Sequence, residues 1–190
     1  MWPAKRCLEP PGATAPGQGD LLARARRLHR QAIVIDTHAD TPVRVVDEAA
    51  DITRRASDGH IDLPRMKDGG LGAQFFAAYV SASYAPSRAT HRALEMIDAI
   101  RHDIVGRAPD ALVLATTAAE VERAHRDDRI AVLIGVEGGH AIEDSLRVLR
   151  QFHALGVRYL TFTHVNTNGW ADSCADAPTH NGLSPSPTGR

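Results

Sequence analysis

Along the middle of the chain, apolar positions recur in blocks whose period switches between two and about 3.6, the signature of strands followed by helices. Ile33-Val34-Ile35 is a short β-branched run that predicts a buried strand, with Thr41-Pro42 ending the segment. Ala73–Val80 predicts a second strand after Gly69-Gly70. Ser87–Arg107 predicts a helix with Ala93, Ile97, Ile100 and Ile104 along one face, stopped by Gly106 and Pro109. Leu112–Ala115 predicts a short strand, Thr117–Asp128 a helix, and Ile130–Val136 an unbroken apolar strand. Ile142–Leu155 predicts a helix ended by Gly156, and Val157–Thr163 the last strand. Upstream, Asp20 is placed to cap a helix over Leu21–Gln31.

Strands that alternate with helices favour a parallel sheet with helices packed outside it, an α/β fold. The pattern dies at both ends. Residues 1–19 are rich in Pro and Gly and are expected to be disordered. Residues 165–190 show no apolar periodicity and are expected to form an irregular loop and tail, leaving residues 20–164 as the packed domain. A closed barrel of eight strand–helix units needs about 250 residues. With four to five strands, this chain is either a small open sheet or the N-terminal portion of a TIM-type barrel.

Composition narrows the partners. The chain has 190 residues, 43% of them hydrophobic, enough for one domain with a core. Lys and Arg number 22 against 23 Asp and Glu, a net charge of -1, so no basic surplus points to nucleic acid. No apolar run approaches the roughly 20 residues of a membrane helix. The first twenty residues lack the apolar core of a signal peptide, and a cytoplasmic protein with no membrane partner is expected. Cys7 and Cys174 lie in the two loop-like ends and are expected to be free thiols.

Three polar groups follow strands. In Ile35-Asp36-Thr37-His38-Ala39-Asp40, residues two apart share a side of an extended chain, so His38 and Asp40 can face one ion. One nitrogen and one oxygen suit zinc or a similar divalent metal; polar loop residues would look the same. Glu137 follows a wholly apolar strand and precedes Gly138-Gly139. An ionised carboxylate there needs a cation, hydrogen bonds or water, or it caps the next helix. His140 offers a ligand by composition, but a histidine at a helix start is more often structural. His164 ends the last predicted strand and could bind metal or hydrogen-bond a reacting oxygen. Asp62 in Gly59-His60-Ile61-Asp62-Leu63-Pro64 reads as a support for the site or as a turn residue. His29, His60, His91, His102, His125, His153 and His180 read as surface residues. No nucleophile elbow, P-loop or dinucleotide fingerprint is present. His38, Asp40, Glu137 and His164 thus gather at the carboxyl ends of strands, where sites form in open sheets and barrels alike.

From about Leu28 to Gly182 the sequence resembles the membrane (renal) dipeptidase family. The resemblance rests on the His-x-Asp segment, Gly59–Met66, Gly70–Phe75, Gly135–His140, and Leu155–His164 followed by Trp170-Ala171-Asp172-Ser173, in family order. It implies an eight-stranded barrel with two zinc ions that hydrolyses dipeptides. His38 and Asp40 would then ligate the first zinc, and Glu137 would bridge both. His164 would contact the substrate and help stabilise the tetrahedral intermediate. In the family two further histidines on the second zinc come from later strands, beyond the point matching Gly182. The chain ends at Arg190, so a C-terminally truncated protein with half the binuclear site is expected. A half barrel leaves sheet edges exposed, and a homo-oligomer is one way to cover them. Two other readings stay open. One is a different amidohydrolase-type enzyme, against which Asp40 counts, because those barrels usually open with His-x-His. The other is a non-catalytic fragment that binds one metal or a partner.

Overall fold

The computed structural model describes residues 17–185. Most of the expected disordered extension lies outside the described residues. These fall into two compact units that divide after Ala32. The first is helix α1 (Gln18–Gln31), which starts three residues before the expected Leu21 and follows Gly17, leaving Asp20 in its first turn. Leu21, Leu22 and Leu28 are about half exposed on it.

The second unit is an α/β fold, the N-terminal portion of a TIM-type barrel, built on a parallel sheet of five strands. These are β1 (Ile35–Ala39), β2 (Ala73–Tyr79), β3 (Leu112–Leu114), β4 (Ile130–Glu137) and β5 (Val157–Leu160). β1 pairs with β2, and β2 runs beside β4 from Ala73↔Ala131 to Tyr79↔Glu137. The other edge of β4 is shared: β3 takes its first residues, and β5 takes Ile134 to Val136. β4 is therefore paired on both sides and buried on both faces up to Glu137, which explains its continuous apolar run.

Alternation splits the core in two. Phe76, Ala78, Val132, Ile134 and Val136 face the helices, where Met96, Ile97, Ile100, Ile104 and Phe152 pack on them. Ala73, Ala131 and Leu133 form a second cluster with Phe75, Val113 and, from the helix over Ala118–Arg126, Val121.

The helices differ from expectation in informative ways. Two short ones, α2 (Thr41–Asp47) and α3 (Leu63–Asp68), fill the stretch that lacked a clear period, each with Pro in its first turn. The expected helix over 87–107 is α4 (Ala89–Ala99), continued as a π-helical turn over Ile100–Val105. α5 (Ala118–Arg126) begins at a capping box of Thr117 and Glu120. α6 (Leu146–Ala154) starts four residues later than expected, because Glu143 and Asp144 both take left-handed backbone conformations that end the preceding 3-10 turn. The loop after β5 buries Trp170 and Ala171 in the main core and closes with an Ala171↔Leu183 bridge. No helix among the described residues is long and apolar enough to cross a membrane.

Candidate metal centre

His38 lies inside β1 instead of in a loop after it, because the strand is Ile35–Ala39 and not Ile33–Ile35. Between Asp36 and Ala39 the pairing with β2 slips by one residue, a bulge that re-aims the side chains. The Asp36 carboxylate accepts the His38 backbone N–H at 3.0 Å, so this acid is engaged in the bulge. Asp40 stands just before α2 but makes no capping hydrogen bond, and its carboxylate lies 3.3 Å from His38 Nε2.

Glu137 ends β4. Its Oε2 is 3.1 Å from His38 Nε2, and one ligand atom each from His38, Asp40 and Glu137 lie within 4.8 Å of one another. Gly138 follows with φ of 107°, a conformation that suits glycine, and turns the chain away so that the carboxylate stays on the rim. Burial raises the Glu137 pKa, as does the Asp40 charge beside it; His38 and His164 oppose this.

β5 stops at Leu160, earlier than the expected Thr163. The Gly138 N–H donates to the Thr161 hydroxyl at 2.8 Å instead of continuing the ladder. His164 therefore sits in the following loop, with Nε2 3.7 Å from Glu137 Oε1 and its ring edge-on to Tyr79. Its Nδ1 is buried without a partner among the described residues. These residues line an open cleft of about 700 Å³, to which His60 and Arg44 also contribute. His60 is exposed, as read from the sequence, and also borders this cleft.

The other candidates stand apart. His140 is buried behind the turn, with Nε2 donating to the Ser81 carbonyl at 3.3 Å, and burial lowers its pKa. Asp62 is fully buried, caps α3 by accepting the Arg65 N–H, and also accepts the Ala56 N–H. It is a turn and cap residue.

Sequence pattern missed Tyr159. The pairing of β4 with β5 slips by one residue and sets Tyr159 opposite Gly135. Any side chain at Gly135 would occupy the space of the Tyr159 ring. The phenol reaches His38 Nδ1 at 2.8 Å, and burial with the nearby Glu137, Asp40 and Asp36 charges pushes its pKa up to about 12.

Does this donor set fit a metal? Four ligands at about 2.1 Å around a tetrahedral zinc lie about 3.4 Å apart. The 3.1 and 3.3 Å spacings about His38 Nε2 match that edge. One imidazole and two carboxylates suit a divalent cation.

The family model for membrane dipeptidases, peptidase family M19, matches residues 22–189. This chain belongs to the membrane dipeptidase family. Dipeptidase 3 of Homo sapiens is 40% identical over 159 residues, covering 81% of this chain and 32% of its own length. Among solved structures, dipeptidase AC, a metallo peptidase of family M19, superposes with a TM-score of 0.66 at 31% identity, over 73% of this chain and 45% of that one. A metallo peptidase from Rhodobacter sphaeroides, liganded with a phosphinate mimic of the dipeptide L-Ala-D-Ala, gives 0.64 at 29% identity, over 73% of this chain and 47% of that one. The chain thus spans about a third of the human relative and under half of the two solved family members.

Proposed function

We propose that this chain is the N-terminal part of a metal-dependent dipeptidase, with His38, Asp40 and Glu137 holding a divalent cation. Zinc is the ion that best suits the donors, and a C-terminal D-residue substrate follows the ligand of the Rhodobacter relative. The observation that carries the reading is the convergence of three ligand atoms from β1, its end and β4 within 4.8 Å. A bound cation supplies Lewis acidity, polarising a peptide carbonyl and making water more acidic.

The chain's own residues supply the rest. Glu137 is 16% exposed at the end of β4, so its carboxylate stands in a half-dry site where a cation would offset the cost of its burial. Its Oε1 faces His164 and its Oε2 faces His38, and the two oxygens can serve different partners, including a second metal. His164 Nε2 opens into the cleft and can donate to the oxygen on which charge develops. Tyr79 packs edge-on against that imidazole and fixes its plane.

The test is zinc-dependent release of amino acids from L-Ala-D-Ala by the purified chain, beside Glu137→Gln, with metal content measured in both. Turnover that Glu137→Gln abolishes supports the reading. A second reading rests on the same geometry, because His38, Asp40 and Glu137 form the single cluster of three such donors among the described residues. One zinc per chain without turnover would assign this stretch to binding without catalysis. No zinc uptake at all would refute both.

A further inference from the structure

We propose that Tyr159 is the positioning residue for His38, holding the imidazole by its Nδ1 and exchanging donor and acceptor roles as a cation reaches Nε2. This rests on the reading of His38 as a ligand.

The geometry is specific. Tyr159 rises from β5 opposite Gly135, the one β4 position without a side chain on that face. Its ring crosses that gap, packs against Phe75 of β2 at 5.2 Å, and lies within 20° of parallel to the His38 ring. The hydroxyl then reaches His38 Nδ1 at 2.8 Å while Nε2 points at Glu137 and Asp40. One side chain thus links four strands' worth of sheet to a single ligand nitrogen.

A phenol suits this place better than other partners. A neutral imidazole carries one N–H, and a hydroxyl both donates and accepts. In the tautomer with its proton on Nε2, that N–H donates to Glu137 Oε2 at 3.1 Å and Nδ1 accepts from the Tyr159 O–H at 2.8 Å; we assign this tautomer to the metal-free protein. When Nε2 gives its lone pair to a cation, the proton must sit on Nδ1, which then donates to the Tyr159 oxygen. The imidazole keeps one proton throughout, lost from Nε2 and regained at Nδ1 through solvent, and the phenol keeps its own. The contact between Nδ1 and the phenol oxygen is kept in both states, with the donor exchanged. A carboxylate at this position would favour Nδ1–H in both states, and a phenyl ring would pair with neither.

The experiment uses the whole chain, as wild type, Tyr159→Phe and Tyr159→Leu. Zinc affinity is measured by competition with a chelator, and the His38 tautomer by 15N NMR at pH 8, metal-free and zinc-loaded. Tyr159→Phe keeps the ring and removes only the hydroxyl. It is expected to weaken zinc about 10- to 100-fold, the usual effect of losing a hydrogen-bond partner behind a metal-binding histidine. It is also expected to blur the metal-free Nε2–H pattern of His38. Tyr159→Leu removes the ring as well and is expected to weaken zinc further. Zinc binding by Tyr159→Phe within about twofold of wild type, with an unchanged His38 spectrum, would overturn the proposal. If the wild type takes up no zinc, the ligand reading fails, and the metal-free spectra still decide whether Tyr159 sets the His38 tautomer.

Discussion

Glu137→Gln should move stability in opposite directions with and without zinc. Without metal, the Glu137 and Asp40 carboxylates lie within 4.8 Å of each other. Two unit charges at that distance repel by about 0.9 kcal/mol in water and about 3.5 kcal/mol at an effective dielectric of 20. The Asp40 side chain is 54% exposed, so the lower figure applies. The introduced amide oxygen can still accept from His38, keeping that contact. At about 2–4 °C per kcal/mol for a domain of this size, the metal-free variant should melt about 3 °C above wild type. With zinc at about 100 times its dissociation constant, the wild type gains about 2.7 kcal/mol, or about 8 °C. Losing a direct ligand should exceed the roughly 100-fold effect of losing a partner behind one. At the same zinc concentration the variant then gains under about 0.4 kcal/mol, near 1 °C. Thermal melts of both proteins, in a chelator and in zinc, read all four values. Equal zinc shifts in the two proteins, or none in the wild type, would refute the assignment of Glu137 to a metal.

Other expectations concern the frame. Phe152→Ala empties a fully buried position under the sheet and should cost about 3–5 kcal/mol in urea unfolding; a loss under 1 kcal/mol would show that α6 does not anchor the core. Asp47→Ala strips the two-oxygen partner at 2.6 and 2.7 Å from Arg92, whose side chain is 7% exposed, leaving the more distant Glu95. It should cost about 2 kcal/mol, measured the same way. Asp62 is pushed up by burial but held below the usual carboxylate range overall, by the Arg65 and Ala56 N–H groups and by the Arg65 and Arg55 charges. A depressed folded pKa contributes stability that is present above the unfolded value near 4 and lost as pH falls through the folded one. Asp62→Asn should therefore lose less urea stability than wild type between about pH 5 and pH 2, and parallel curves would count against this role.

How much was legible in the sequence depended on whether a feature is local. β4 was legible because a strand paired and covered on both sides must be continuously apolar, and Glu137 stood out at its end. His38 and Asp40 were legible as a short motif, although the strand that carries His38 lies further along than Ile33–Ile35 and Asp40 stands just past its end. The α/β fold followed from the alternation of strand and helix periods, and the family from motifs in order. Tyr159 was not legible, because its role depends on a one-residue slip between β4 and β5 that puts it over Gly135. His60 reaches the cleft only through the path of an irregular loop, for which no period exists to read. Trp170 likewise enters the core from a stretch without apolar periodicity. The placement of Asp36 came from a bulge, and single-strand alternation cannot foresee a bulge.

The arrangement of donors bears on what this stretch can do by itself. The three converging ligand atoms come from β1, the residue just past its end and β4, and β1 and β4 are not neighbours. β2 lies between them and hydrogen-bonds to both. β5 completes the other flank of β4 and brings Tyr159 back over the sheet to His38. Every strand that brings these donors together is thus paired to its supports within residues 35–160. A cation held by three protein atoms retains an open coordination position, as catalytic zinc sites require. On this reading the first site forms with the folding of this part of the barrel. Chemistry that needs a second ion must draw on groups outside the cluster of His38, Asp40 and Glu137, with the outward Glu137 Oε1 and His164 as the point where they would join.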